Sequence, residues 1–263
     1  MNKQSSIQSA TGPVSTAVEQ QLVDAAGRAE LRHEPCDHIY MEEVFDPGSY
    51  RELLAALPDR RFFHDLMHRD AVRKDGSSTR LRMYLYPELL VRLPKEIRKI
   101  WLPVARALCS PELEQAFKRK FRASLEERFG KPVEELGVYP IPILLRDQPG
   151  YKISIHSDVP TKAITVQYYL PADTSQRHIG TLFHKSDRGA GAKKTTQMPF
   201  LPASGYAFPV SLTKSWHSAA ETSPGDGERV TMMVTYYVAD DFRTWFKYRL
   251  RRALMMIGIH PER

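Results

Sequence analysis

The chain has no apolar run approaching the ~18 residues a membrane-spanning helix requires, so no such helix is expected. It is poor in cysteine. Cys36 and Cys109 lie far apart with no Cys-x-x-Cys pair, which argues against a disulfide framework and a cysteine-based zinc site and makes a reducing cytoplasm the default compartment. The opening residues, "MNKQSSIQSATGPVS", lack the apolar segment of a secretory signal, and residues 1–15 are expected to form a disordered tail. No internal repeat is present, which removes solenoids and propellers.

Acidic residues are outnumbered, 31 against 38 basic, for a net charge of +7. That imbalance raises the possibility of a polyanion or a membrane surface as partner. The excess gathers in "RKDGSSTRLR" (73–82), "KRKFR" (118–122) and "FKYRLRR" (246–252). None has the spacing of a nucleic-acid module, so these read as solvated faces and a nucleic-acid partner is not expected.

What is present has two textures. Through about residue 135, helical periodicity dominates: "AVEQQLVDAAGRAELR", "DPGSYRELLAALP" with a cap at Asp46, "PKEIRKIWLPVARALC", and "SPELEQAFKRKFRASLEERFG" opened by Ser110 and closed by Gly130. One strand, "HIYMEEVF", interrupts them. From about residue 137, short β-branched and aromatic runs alternate with turn material, the signature of a sandwich or barrel. The C-terminal stretch from "DDFRTWFKYRL" returns to helical spacing. Trp245, Phe246 and Tyr248 are expected to be the docking face of that last helix, which is basic and amphipathic.

Three His-x-acid pairs occur: His68/Asp70, His156/Asp158 and His260/Glu262. Geometry separates them. In "YKISIHSD" the spacing falls on a strand, where residues i and i+2 share a face, so His156 and Asp158 can reach one metal ion. On a helix the same spacing turns the side chains apart, which discounts His68/Asp70 in "FFHDLMHRDAV", a segment read as helix or polar loop. His64 and His68 share a helical face but have no third ligand, and His260/Glu262 lies in the terminal tail. Downstream, His217 sits in β-like sequence. Two imidazoles and one carboxylate make the facial set that binds iron(II) and leaves coordination positions open for a co-substrate and dioxygen. Twelve residues beyond His217, Arg229 heads a strand with Thr231 on the same face, suited to gripping a carboxylate.

These pieces together, "PGYKISIHSD", "KAITVQYYLP", "HIGTLFH", "GYAFPVSLTKSWHSA" and "GERVTMMVTYY", resemble the iron(II)/2-oxoglutarate-dependent oxygenases, most closely the prolyl-4-hydroxylase-like and small bacterial hydroxylase branches. The resemblance implies an α+β chain with a double-stranded β-helix (jelly-roll) core at 137–238, preceded by a mainly helical, substrate-shaping half at 16–136 and followed by a C-terminal helix at 239–263, all one domain. It implies metal ligation by His156, Asp158 and His217, and 2-oxoglutarate held by Arg229 and Thr231. The cofactors would be iron(II), 2-oxoglutarate and O2, with succinate and carbon dioxide released. The carboxylate at position 158 favours hydroxylation or a related oxidation over halogenation.

Secondary candidates follow from strand parity. Thr165, Gln167 and Tyr169 share a face, and Gln167 or Tyr169 could meet 2-oxoglutarate or substrate; Ile164, Val166 and Tyr168 read as packing. Lys152 and Ser154 share parity with His156, which makes Lys152 a substrate candidate beside Arg146 and Thr181. A small polar or anionic molecule, natural-product or amino-acid-like, is the expected substrate. The competing readings are a jelly-roll that binds without catalysis and a basic protein that binds a polyanion or a membrane surface.

Overall fold

The computed structural model describes residues 13–67 and 69–259. In chain order these form α1 (Pro13–Arg28), β1 (Leu31–Arg32), β2 (His38–Met41), α2 (Pro47–Ala55), β3 (His64–Asp65), β4 (Arg80–Tyr84), α3 (Lys95–Leu108), α4 (Pro111–Lys120) and α5 (Arg122–Phe129). There follow β5 (Val138–Asp147), β6 (Ile153–His156), β7 (Lys162–Tyr169), β8 (Thr181–His184), α6 (Gly189–Lys193), β9 (Thr195–Gln197), β10 (Gly205–Pro209), β11 (Trp216–Ala219), β12 (Arg229–Val238) and α7 (Phe242–Met256).

Local chemistry supplies side-chain caps at the starts of α2 and α4. Asp46 accepts from the amides of Gly48 and Ser49 at 2.9 and 3.0 Å, with Pro47 in the first turn of α2. Ser110 does the same for Leu113 at 3.2 Å, with Pro111 opening α4. The periodic stretch 110–130 is two helices rather than one. It breaks at Phe121, whose backbone leaves helical geometry while its ring is buried, and α5 then ends at Gly130 in the left-handed region with φ 65°. Helix α1 begins at Pro13, inside the segment expected as tail; residues 1–12 lie outside the described residues.

Two antiparallel sheets make the β layer. The large one runs β1-β2-β10-β7-β12-β5-β4-β3 and the small one β6-β11-β8-β9. Alternation along the central strands assigns the two faces of the large sheet. Ile164, Val166 and Tyr168 of β7 and Val230, Met232 and Val234 of β12 pack into one apolar cluster with Leu22 of α1, Trp101 of α3 and Phe117 of α4. The opposite face turns Tyr169, Tyr206 and Phe208 toward Phe183 of the small sheet. The helices therefore back the large sheet, and the small sheet covers its other side.

The first half is less purely helical than its periodicity suggests. It contributes β1–β4, and all four extend the large sheet: β2 pairs with β10 and β4 with β5, with β1 and β3 outside them. The segment "FFHDLMHRDAV" includes β3, so His64 stands on a strand and not on a helical face.

Candidate metal centre and anion pocket

Strand pairing brings the two histidines together. His217 of β11 is the register partner of His156 of β6, and their rings lie 4.2 Å apart between centroids. Asp158, two residues past the end of β6, completes a cluster in which one ligand atom from each of the three lies within 4.8 Å of the others. Asp158 and His217 are buried.

Backbone carbonyls prepare both imidazoles for coordination. Nδ1 of His156 lies 2.9 Å from the carbonyl of Ser154, and Nδ1 of His217 lies 3.0 Å from that of Ser215. A carbonyl only accepts, so each Nδ1 carries a proton, which leaves Nε2 as the nitrogen available to a metal. Burial pushes the His217 pKa down to about 4, against the opposing pull of the Ser215 carbonyl, which keeps it neutral. Burial alone would raise the Asp158 carboxyl, but Lys162 and His217 hold it well below the usual carboxylate range. One Asp158 oxygen pairs with the Lys162 ammonium, and the other accepts from Thr165 Oγ1 at 2.7 Å. Two imidazoles whose Nδ1 atoms are engaged by the backbone, and one ionised carboxylate, form a donor set that fits a divalent transition metal.

The histidines belong to the small sheet, while Thr165 and Lys162 belong to β7 of the large one. The cavity thus lies between the sheets, and its far end is cationic. Arg229 opens β12, Asp147 closes β5 and Arg80 opens β4, and these three are register partners across neighbouring strands. Arg229 Nη1 donates to Asp147 Oδ2 at 2.8 Å, and Arg80 Nε stands 2.9 Å from Asp147 Oδ1. All three are buried, Asp147 fully. Burial disfavours the Arg229 charge, but Asp147 more than restores it. Two guanidiniums around one carboxylate leave a net positive charge in a desolvated place, which calls for an anion. Tyr151 lies against both cations, with its ring centroid 4.9 Å from Arg80 Cζ and 6.0 Å from Arg229 Cζ.

The other sequence candidates divide. Gln167 and Thr181 line the cavity with the metal cluster and Arg229. Gln167 Oε1 accepts from Tyr206 Oη at 2.8 Å and from Arg229 Nη2 at 3.4 Å, its Nε2 donates to Thr231 at 3.0 Å, and Thr181 Oγ1 donates to Tyr206 at 3.0 Å. Thr231 is fully buried behind Gln167, and Tyr169 is packed on Phe200 and Tyr206; neither is among the residues lining the cavity. Arg146 is spent on Glu228 at 2.7 Å and stacks over Phe63, away from the cavity.

Lys152 is exposed beside Glu221, and in place of the Lys152/Ser154 face it is Ile153 that meets the cavity. The cause is a bulge. From His217 to Ala219 the partner strand steps from His156 to Ile153, three residues against two, which inverts the side-chain parity of β6. His68, His260 and Glu262 lie outside the described residues. Arg80, Asp147 and Lys162 were not legible as site residues: Arg80 sits in a charge run read as a solvated face and Asp147 in turn material.

No family model matches the chain, and no curated protein matches it by sequence. Solved structures do match. A Pseudomonas putida prolyl-4-hydroxylase superimposes with a TM-score of 0.50 at 13% identity, covering 84% of this chain and 99% of that one. A rice dioxygenase for auxin oxidation gives 0.50 at 15% identity, covering 93% and 92%. Over nearly its whole length, the chain has the fold of these oxygenases.

Proposed function

We propose that the chain is an iron(II)- and 2-oxoglutarate-dependent oxygenase whose two sheets form a double-stranded β-helix core. The observation that carries this reading is the pairing, in one cavity, of a His156–Asp158–His217 donor set with a buried cationic end at Arg229 and Arg80. The shared fold supports it.

His156 and His217 would present Nε2 to the metal, and Asp158 one oxygen, with Thr165 keeping the carboxylate in place. Arg229, held by Asp147 and Gln167, would bind the far carboxylate of 2-oxoglutarate, and Arg80 adds a second positive charge on the same side. Iron(II) with 2-oxoglutarate and dioxygen supplies the oxidation of an unactivated C–H bond, releasing succinate and carbon dioxide. The protein holds the co-substrate, orients the ligands and keeps the site between the sheets away from bulk water. The substrate class favoured is a small polar or anionic molecule, natural-product or amino-acid-like, and the reaction a hydroxylation.

The test is succinate release. Protein supplied with iron(II), 2-oxoglutarate and air should form succinate even without a prime substrate, slowly, and His217→Ala should form none. Protein that binds the metal tightly yet neither binds 2-oxoglutarate nor consumes it would be a metal-holding binding protein.

A further inference from the structure

Helix α7 carries an apolar face that, among the described residues, nothing covers. Its inner side is fixed. Tyr248 and Met255 are buried, Tyr248 stacks on Tyr139 at 5.4 Å, Arg252 pairs with Glu88, and Arg92 donates to the carbonyls of Met255 and Met256 at 3.3 and 3.1 Å. Its outer side shows Phe242 at 76% exposure, Trp245 at 42%, Phe246 at 49%, Leu250 at 45% and Met256 at 53%, and Ile257 continues the row at 71%. The three- and four-residue spacing puts these on one stripe along the helix, ~22 Å long. Single exposed hydrophobes are ordinary; a contiguous stripe of aromatic and aliphatic side chains is not. It is also preorganised. Phe242 stacks on Trp245 and Phe246 at 6.0 and 6.1 Å, and the Arg249 guanidinium lies 3.9 Å from the Trp245 ring centroid.

Charge identifies the occupant. From Phe242 to Ile259 there are five cations and no Asp or Glu. Arg251 reaches Tyr84 and Arg252 reaches Glu88, both inward, while Arg243, Lys247 and Arg249 are exposed beside the stripe. A second copy of the chain docked through α7 would set like charges against each other. A nucleic acid would satisfy the cations but leave Leu250, Met256 and Ile257 in water. A bilayer bearing anionic lipid satisfies both, with an apolar interior for the rings and a negative headgroup layer for the cations. We propose that α7 lies flat on such a membrane surface.

The test is co-sedimentation with vesicles of phosphatidylcholine alone and of equal parts phosphatidylcholine and phosphatidylglycerol. The protein should sediment with the mixed vesicles, less so as salt rises, and weakly or not at all with the neutral ones. Phe242→Ser with Phe246→Ser should weaken partitioning by about tenfold or more. Arg243→Glu with Lys247→Glu should do the same. All four side chains are exposed, so thermal melting and metal binding should be unchanged in both variants. Absence of binding to either vesicle, or binding that survives both pairs of substitutions, overturns the proposal. A dimer in sedimentation equilibrium that the Phe242/Phe246 variant dissociates, without vesicle binding, assigns the stripe to a second copy. Binding to a DNA duplex but not to vesicles assigns it to nucleic acid.

Discussion

At the scale of single residues, the site is governed by two buried ion arrangements that sequence spacing does not reveal. Asp147 serves two arginines, so neutralising it leaves two buried guanidiniums without a counter-charge. Asp147→Asn should therefore destabilise the fold by ~3–5 kcal/mol, read from the denaturant midpoint, and raise the KM for 2-oxoglutarate as Arg229 loses its orientation. A variant with unchanged stability would mean the row is not held by its charges. Lys162 bears differently on the metal centre. Its ammonium pairs with Asp158, a proposed ligand, and so repels an incoming cation. Lys162→Met should tighten cobalt(II) binding on the order of tenfold, equivalent to ~1.4 kcal/mol of repulsion relieved, measured by titration calorimetry. Weaker binding would show instead that Lys162 mainly positions the carboxylate. His156 and Asp158 were readable as a candidate pair from their two-residue spacing, while His217 joins them only through the β6–β11 register. The partners of Arg229 were not readable, because Asp147 and Arg80 join it only through the β4–β5–β12 register.

At the scale of elements, local rules decide more than tertiary context does. The Asp46 cap is an instance. Hydrogen bonds from Ser49, Gln21 and Gly48 depress its pKa, so its contribution to stability is complete above the unfolded carboxylate range, near pH 4, and is lost as pH falls below it. Asp46→Ala should cost ~1 kcal/mol at neutral pH, and the gap to the parent protein should close in acid. A gap that persists at low pH would mean the loss is one of packing. The capped starts of α2 and α4 and the central strands of the large sheet were readable from residue type. The parity of β6 was not, since a bulge is a property of the strand pair and leaves no mark on one strand read alone. Nor was the fate of Trp245 and Phe246. They were expected to dock the last helix with Tyr248, yet Tyr248 alone turns inward and the other two are exposed.

At the scale of the whole molecule, the proposed ligands come from both strands of the β6–β11 pair at one end, so a bound metal would tie those two strands together. Saturating cobalt(II) at 100 times its Kd should add ~2.7 kcal/mol to stability, a rise in Tm of several degrees over protein stripped with a chelator, and His217→Ala should abolish it. An equal rise in that variant would place the metal elsewhere. The fold class was legible in the change of texture near residue 137. The interdependence of the two halves was not, because β1–β4 are short and set among helices. Those strands have a consequence for anyone trimming the protein. β4 covers the outer side of β5, and β2 that of β10. A fragment starting at residue 137 would lay bare two strand edges at once, each a row of unsatisfied amides and carbonyls ready to recruit another chain. Such a fragment should precipitate rather than fold, whatever metal it is offered.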